Sequence, residues 1–475
     1  MRVAKKIRID RFDNFVGDGV KVDKFYNCKI KDSLKGTFGI DIAKFPTSED
    51  SKEYKCMNIE SEDLKTVEGV VFFKQDNPEM TFIPHMIMIY GDNKKLYINQ
   101  MFMGNMDLHW LFDLKFEKAP ISIMYKKDDA DAMILASDNL MKVWRAGYSP
   151  YEIDDAPIIT SMCMNDGVLF CTVQKPAFKI WYATDLDAEN VGKKSSSSNY
   201  ISLEDDLGDA RKVVSFDESV YAFRDYGITK ISFIKNEVVT SQVYQSNTKI
   251  FTDTVSVCGG QILFMTQYGL FSFNGVKVAK IAIDLFDYSI FNKSTMIASS
   301  LGEKYYLAFN LNYNDNNSIL CENGNCINNT LMVVDTNNYN YDLIRGVDCK
   351  SMLPVKSKYF EKMLIIFGSG YNYQLGEIVS DPIYVDDNLP KLWCSKNVSE
   401  NNNVKMFNKL SVVAEKGVEI KLITDVGEYS FVSYVSGVND FNFKIVCKQL
   451  KVQFSSNEKS SWVESVELEY YDCWF

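Results

Sequence analysis

A short apolar run, a polar turn and a second apolar run recur along this chain. They begin at Met86 (MIMIYGDNKKLYI), Met133 (MILASDNLMKVW), Val168 (VLFCTVQKPAFKIWY), Val220 (VYAFRDYGITKISF) and Ile262 (ILFMTQYGLFSFNG). Weaker copies begin at Tyr305, where YYLAFN is parted from LMVV at Leu331 by a long insertion, and at Met363 (MLIIFGSGYNYQLG). Successive starts are 47, 35, 52, 42, 43 and 58 residues apart, around the period of about 40 to 50 that marks propeller blades. Turns such as Gly91-Asp92-Asn93, Ser137-Asp138-Asn139, Arg224-Asp225-Tyr226-Gly227 and Tyr268-Gly269 carry the residues that tight reversals favour, so each pair reads as a hairpin. The first run of each unit is nearly all apolar, as in a strand covered on both faces, and the second tends to alternate.

An isolated four-stranded sheet cannot bury both its faces, so such units must stack, and a ring removes the need for end caps. The expected fold is therefore all-β: a β-propeller of six to eight blades, with seven the expected number, spanning residues 81–397. Residues 1–80 are expected to supply strands that close the ring. From Val404 the texture changes to regular alternation (VEIKLITDV, YSFVSYVS, FNFKIVCKQLKVQF, WVESVELEYY), and 404–475 reads as a small β-sandwich-like domain. The competing arrangement is two ordinary β-sandwiches with the same hairpin spacing. One short helix is expected near Ile281–Lys293 (IAIDLFDYSIFNK), and SSSSN at Ser195, Asn314–Asn329 and VSENNN at Val398 read as loops.

Composition supports this: aromatic residues are 13% of 475 and Pro is scarce at 10, a balance that suits pleated surfaces. No apolar stretch approaches the roughly 18 residues of a membrane span, and the charged opening MRVAKKIRIDRFDNF lacks an apolar signal region, so the chain is read as neither spanning nor secreted. The formal net charge of −11 argues against tight nucleic-acid binding, whose affinity rests on Lys and Arg. The acidic residues cluster instead, at Asp128, Asp129 and Asp131, at Asp154 and Asp155, at Glu204, Asp205, Asp206 and Asp209, and at Asp386 and Asp387. The plain reading of such runs is solvated loops.

Chemistry is sparse. The two histidines, His85 in IPHMI and His109 in DLHWLF, stand apart in apolar surroundings without a nucleophile or ligand motif, which disfavours triads and His-based metal sites. VGKKSSSSN at Val191 lacks the leading glycine of a phosphate-binding loop and puts Lys194 at its Ser/Thr position, so it is rejected. Cys321 and Cys326 in CENGNC lack the second ligand pair of a zinc site. No catalytic residue, metal or cofactor is assigned. Trp144, Trp181 and Trp393, near strand ends, are candidates for a partner or carbohydrate platform, although residues of this kind more often serve blade-to-blade packing, given the area each buries.

The succession of KIWYATDLDAEN at Lys179, ISLEDDLGDARKVVSFDESVYAFRDYGITKISF, and TVSVCGGQILFMTQYGLFSFNGVKVAKI resembles the β-propeller tail-hub or nozzle proteins of short-tailed bacteriophages, the packaged-DNA stabilisation proteins. The resemblance covers about residues 160–285, and extends loosely to NCKIKDSLKGTFGI at Asn27 and to the closing SWVESVELEYYDCWF. It implies a non-enzymatic virion protein, assembled in the host cytoplasm into a homo-oligomeric tail ring, expected to be hexameric, that extends or gates the portal channel. Its implied partners are portal or adaptor and tail-fibre or tail-needle proteins, with DNA passing through but not tightly bound. An acidic or neutral lumen would let duplex slide. On that view Glu204, Asp205, Asp206 and Asp209 are the first candidates for channel-facing loops, and Asp128, Asp129 and Asp131 the second. The alternative function is a host-receptor or glycan-binding propeller, with a glycan-cleaving propeller as a minor third reading.

The 11 cysteines, Cys28 to Cys473, are odd in number and irregularly spaced, which predicts free thiols rather than a disulfide framework. Intact-mass measurement after alkylation of the denatured, unreduced protein is expected to show most of them modified. Several stable disulfides would contradict this.

Overall fold

In a computed structural model, the described residues are 4–9, 22–26, 36–37, 41–44, 57–58, 67–73, 86–91, 95–100, 108–113, 116, 120–127, 130–137, 140–145, 149–193, 199–234, 237–283, 289–291, 293–312, 328–345, 348–356, 361–369, 372–379, 391–399, 403–458 and 461–473. They form antiparallel strands with no α-helix among them. The fold is a β-propeller with a separate pair of β-sheets built from both ends of the described chain.

Six consecutive antiparallel sheets take their strands from 67–113, 121–152, 159–202, 210–245, 250–280 and 289–345, numbered here sheets 1 to 6. Sheet 7 takes three strands from 348–379, and its third, Asn372–Val379, is joined by Asp41–Lys44 and Met57–Asn58 from the N-terminal segment. The strands Val67–Phe73, Ile121–Lys127, Ile159–Asn165, Ala210–Phe216, Ile250–Cys258, Ile297–Leu301 and Asp348–Lys356 touch one another in turn, and Asp348–Lys356 touches Val67–Phe73. These contacts run in a cycle, with the first strands innermost. Every hairpin picked out in the sequence forms the second and third strands of one of these sheets.

The apolar runs are continuous because each second strand serves two neighbours. In Ser219–Arg224, where all six residues are buried, Val220 and Ala222 pack toward sheet 3 while Tyr221 and Phe223 pack toward sheet 5. In Val168–Val173, Leu169 and Cys171 join sheet 2 and Phe170 joins sheet 4. In Lys304–Asn312, Tyr305 and Leu307 face sheet 5 and Tyr306 and Ala308 face sheet 7. Strand alternation thus sends successive side chains into opposite inter-sheet cores. The turns joining first to second strands are two-residue reversals at Asp166-Gly167, Asp217-Glu218 and Gly259-Gly260. Both residues of each have positive φ, between 47° and 71°, as the right-handed twist of a hairpin requires.

The remaining two sheets cover each other. One runs Lys5–Ile9, Trp462–Asp472, Lys405–Ala414, Gly437–Cys447, and the other Val22–Tyr26, Lys391–Ser395, Leu450–Ser456, Glu419–Thr424, Glu428–Val432. Leu450, Val452 and Phe454 point inward at every second position and share a core with Phe407, Leu410 and Val466. This unit begins before Val404: Lys391–Ser395 is an interior strand of it, paired on both sides, with Trp393 stacked 5.7 Å from Phe454. The strands on both sides of the VSENNN stretch therefore belong to this unit, although residues 400–402 lie outside the described residues. The unit also draws strands from the N-terminal segment, which the change of texture at Val404 did not announce. Its core is continuous with that between sheets 5 and 6, and the Phe25 ring lies 5.2 Å from that of Tyr341.

Of the segment Ile281–Lys293, where a short helix is expected, the central residues 284–288 lie outside the described residues, and the described flanks Ile281–Ile283 and Ser289–Phe291 are not helical. Ile281 and Ile283 are buried two residues apart, the period of extended chain, and Ser289–Phe291 is a strand paired with Asn310–Asn312. Residues 284–288, the insertion 313–327 with Cys321 and Cys326, and His85 lie outside the described residues, as do 194–198 of the Val191 run.

Phe25 is buried where the two-sheet unit meets sheet 6. Phe25→Ala is expected to lower the free energy of unfolding by about 3–5 kcal/mol in chemical denaturation. A loss under about 1 kcal/mol would mean that this junction does not bear on the stability of the fold.

Candidate functional site

Four of the acidic candidates lie on one connection. The outermost strand of sheet 3, Asn199–Ser202, leads through 203–209 to the innermost strand of sheet 4, Ala210–Phe216. The connection thus crosses one end of the ring from rim toward axis. Leu203 and Leu207 are buried and anchor it. The Leu203 and Ala210 N–H groups donate to Phe178 O and Ala177 O at 2.9 Å each, and Tyr226 N–H donates to Leu207 O at 2.9 Å. Gly208 has φ of +80°, and a Cβ there would come within 2.9 Å of Asp225 Cβ, so the tight approach of loop to turn requires glycine.

Arginines organise the loop. Arg224, fully buried at the end of its strand, donates from Nε to Gly208 O at 2.9 Å and from Nη2 to Leu203 O at 2.8 Å. Its Nη1 forms an ion pair with Asp205 Oδ1 at 2.5 Å. Arg211 bridges two carboxylates, donating to Asp209 Oδ2 at 2.7 Å and to both oxygens of Asp225 at 3.2 Å. Lys249 adds an ion pair with Asp225 at 3.6 Å. Burial pushes the Asp225 carboxyl up, but the hydrogen bonds and charge of Arg211, the Asp209 N–H and Lys249 outweigh it and hold its pKa below the ordinary value.

Asp205 and Asp209 are therefore tied to the loop's arginines, each in an ion pair. Glu204 and Asp206 are exposed and, among the described residues, meet no cation, although Ser202 Oγ donates to Glu204 at 2.7 Å. Of the second acidic group, Asp128 and Asp129 lie outside the described residues. Asp131 lies in the strand Ala130–Ala136, paired with Lys126, with its side chain undescribed. On the inner strand of sheet 4, Lys212 reaches across to sheet 5, and its Nζ donates to Val255 O at 2.8 Å. Burial lowers its pKa.

The three tryptophans do not form one platform. Trp144 is 4% and Trp393 2% exposed, in sheet 2 and in the two-sheet unit, so neither can present a face to a ligand. Trp181 is half-buried and lies 5.1 Å from Tyr200, which is 49% exposed. The Lys179 ammonium lies 3.7 Å from the Tyr200 ring centroid, a cation–π contact on one face of that ring. Arg211, Arg224, Asp225 and Tyr200 were not singled out as site residues by sequence reasoning. The available signal was an arginine ending an otherwise apolar run, VYAFRDYG, one strand after an acidic loop.

A cleft of about 910 Å³ opens between sheets 3 and 4 at the opposite turns, bordered by Asn165, Asp166, Glu218, Val220 and Ile231. Among the described residues no three His, Cys, Asp or Glu side chains gather as metal ligands, and no helix is long and apolar enough to cross a membrane. His109 lies in the strand Leu108–Asp113 with its side chain undescribed. Seven described cysteines are free thiols, and burial raises Cys163, Cys258 and Cys394 to about 12. A thiol so raised is a poor nucleophile at neutral pH.

The sheets and the cycle of contacts between their inner strands give the chain a β-propeller fold. No family model and no curated protein matches the sequence. Among solved structures, the BBS1N protein in complex with ARL6DN is similar in its lead-soaked crystal at 8% identity over 79% of this chain and 99% of that one, with a TM-score of 0.43. The mercury-soaked crystal gives 10% identity, 67% and 94% coverage and 0.44. The computationally designed Ika8 protein gives 9%, 68%, 98% and 0.38. Likeness at this level adds nothing to what the sheets themselves establish.

Asp225→Asn is expected to cost about 1–2 kcal/mol of stability at neutral pH. The native pKa of Asp225 is depressed, so its contribution is fully present above the ordinary carboxylate pKa of about 4 and fades as pH falls through the lower native value. The gap between wild type and variant should be flat above about pH 5 and close below about pH 4. A gap that widens on acidification would contradict the arginine clamp.

Proposed function

We propose that this protein is a non-enzymatic structural component of a bacteriophage tail, a hub or nozzle ring subunit that extends or gates the channel for genome exit. The observation that carries the reading is the 203–209 connection. It lies in the stretch that resembles the phage hub proteins, it crosses an end of the propeller toward its axis, and its arginines are consumed in fixing backbone and carboxylates. Glu204 and Asp206 are left facing water. A surface on which arginines are tied down and carboxylates are free repels a phosphate backbone instead of holding it. Of the cations at this loop, Arg224 is fully buried and paired with Asp205, Arg211 has carboxylates within 3.2 Å, and Lys249 lies 3.6 Å from Asp225.

In this reading the protein assembles in the host cytoplasm as a homo-oligomeric ring of six copies, resides in the virion tail, and contacts portal or adaptor proteins and fibre or needle proteins. The glycan-binding alternative is favoured only by the exposed Tyr200 beside Trp181, where Lys179 takes one face of the Tyr200 ring.

The test is duplex DNA binding by the purified full chain at low ionic strength, with imaging of its oligomers. Expected are closed rings and binding weaker than micromolar. Glu204→Lys combined with Asp206→Lys should raise affinity and steepen its salt dependence. Micromolar or tighter binding by the wild type, or exchange of both acids without effect on affinity, would overturn the reading.

A further inference from the structure

The strand Gly437–Cys447 ends its sheet: it pairs with Lys405–Ala414 on one side, and no strand among the described residues pairs with the other. The facing sheet ends beside it on Glu428–Val432. The Phe431 ring, 5.0 Å from Phe441 and 5.4 Å from Phe443, holds the two edges together. Around them Val438 is 62%, Tyr434 54%, Val432 53%, Val435 43% and Val446 40% exposed. A long edge strand with exposed apolar residues is a template for pairing, which natural proteins usually block with proline, a short strand or repeated lysine. Proline, shortness and repeated lysine are all absent from this strand, and the guard it does carry is a β-bulge at Phe443-Lys444.

The outward row of this strand is Val438, Asp440, Asn442, Lys444 and Val446, all exposed, alternating without interruption with Asn439, Phe441, Phe443 and Ile445. The alternation holds even where two residues, Phe443 and Lys444, span the place of Asn408 on the neighbouring strand. Read in reverse, the row is its own complement. If two copies pair antiparallel with Asn442 opposite Asn442, then Val438 meets Val446 and Asp440 meets Lys444, twice over. The Asp440 side chain, which pairs with Lys409 at 3.0 Å and accepts from Ser411, is still 45% exposed and open to a second cation. An unrelated partner would need no such palindrome, whereas a two-fold contact between identical chains does.

We propose that Gly437–Cys447 pairs antiparallel with the same strand of a second copy, so that the two sandwich-like units share one continuous sheet across a two-fold axis at Asn442. This is independent of the phage reading, since ring closure uses two unlike surfaces on each copy and this contact uses one surface twice.

The test is sedimentation of the full chain at low salt, with circular dichroism to verify folding. Asp440→Lys and Lys444→Asp, both at exposed positions, each oppose like charges across the axis and should weaken association by about ten-fold or more. Each is expected to leave species with half the copy number of wild type. An equimolar mixture of the two variants should restore association, because one copy then presents only lysines and the other only aspartates. The chain carrying both exchanges should also associate. Wild type that does not associate through this strand, variants that associate as wild type does, or a mixture that fails to recover would overturn the proposal. Rings insensitive to both substitutions would overturn it while leaving the ring reading intact.

Discussion

A four-stranded sheet whose middle strands are apolar on both faces is unstable alone, and that constraint governs the architecture of this protein. Each of the seven sheets must be covered twice. Ser219–Arg224 shows how one strand meets the need, with Val220 and Ala222 buried toward one neighbour and Tyr221 and Phe223 toward the other. A row of such sheets leaves two bare ends, and the contact of Asp348–Lys356 with Val67–Phe73 removes both.

The termini of the described chain reinforce the same arrangement. Asp41–Lys44 completes sheet 7, so opening the ring there requires parting segments more than 300 residues apart in sequence. Lys5–Ile9 and Val22–Tyr26 then join strands from 391–472 in the outer unit, whose core runs on into sheets 5 and 6. Such long-range pairing makes folding slow relative to helical proteins of like size. At one end of the ring the 203–209 connection is set by polar contacts. There a buried arginine, Arg224, satisfies backbone carbonyls that a loop would otherwise turn to water.

The central hairpins were legible in the sequence because burial on both faces leaves a continuous apolar run bounded by turn residues, as in VYAFRDYGITKISF and ILFMTQYGLFSFNG. The first and fourth strands of each sheet were less legible: Asn199–Ser202 is half polar and follows a serine run. Lys5–Ile9 is three-fifths exposed, and its partner lies more than 450 residues on, a distance at which local pattern says nothing. The acidic loop was visible as composition, but its pairing with Arg211 and Arg224 depends on a turn from the next hairpin. For Trp144 and Trp393 the packing reading holds and the platform reading does not, a choice the sequence left open because position along a strand does not reveal what covers its face. The self-complementary row in Gly437–Cys447 is plain in the letters but acquires meaning only once that strand is known to be an edge.

The central claim is that the chain closes on itself as a ring of seven sheets with one two-sheet unit attached beside sheets 5 and 6. Class averages from electron microscopy of the single chain, viewed down the ring axis, test it directly. The account predicts seven wedges of comparable size around a common centre and one extra density on the rim. Two stacked sandwiches without a central axis, an open arc, or a ring of a different number of wedges would contradict it.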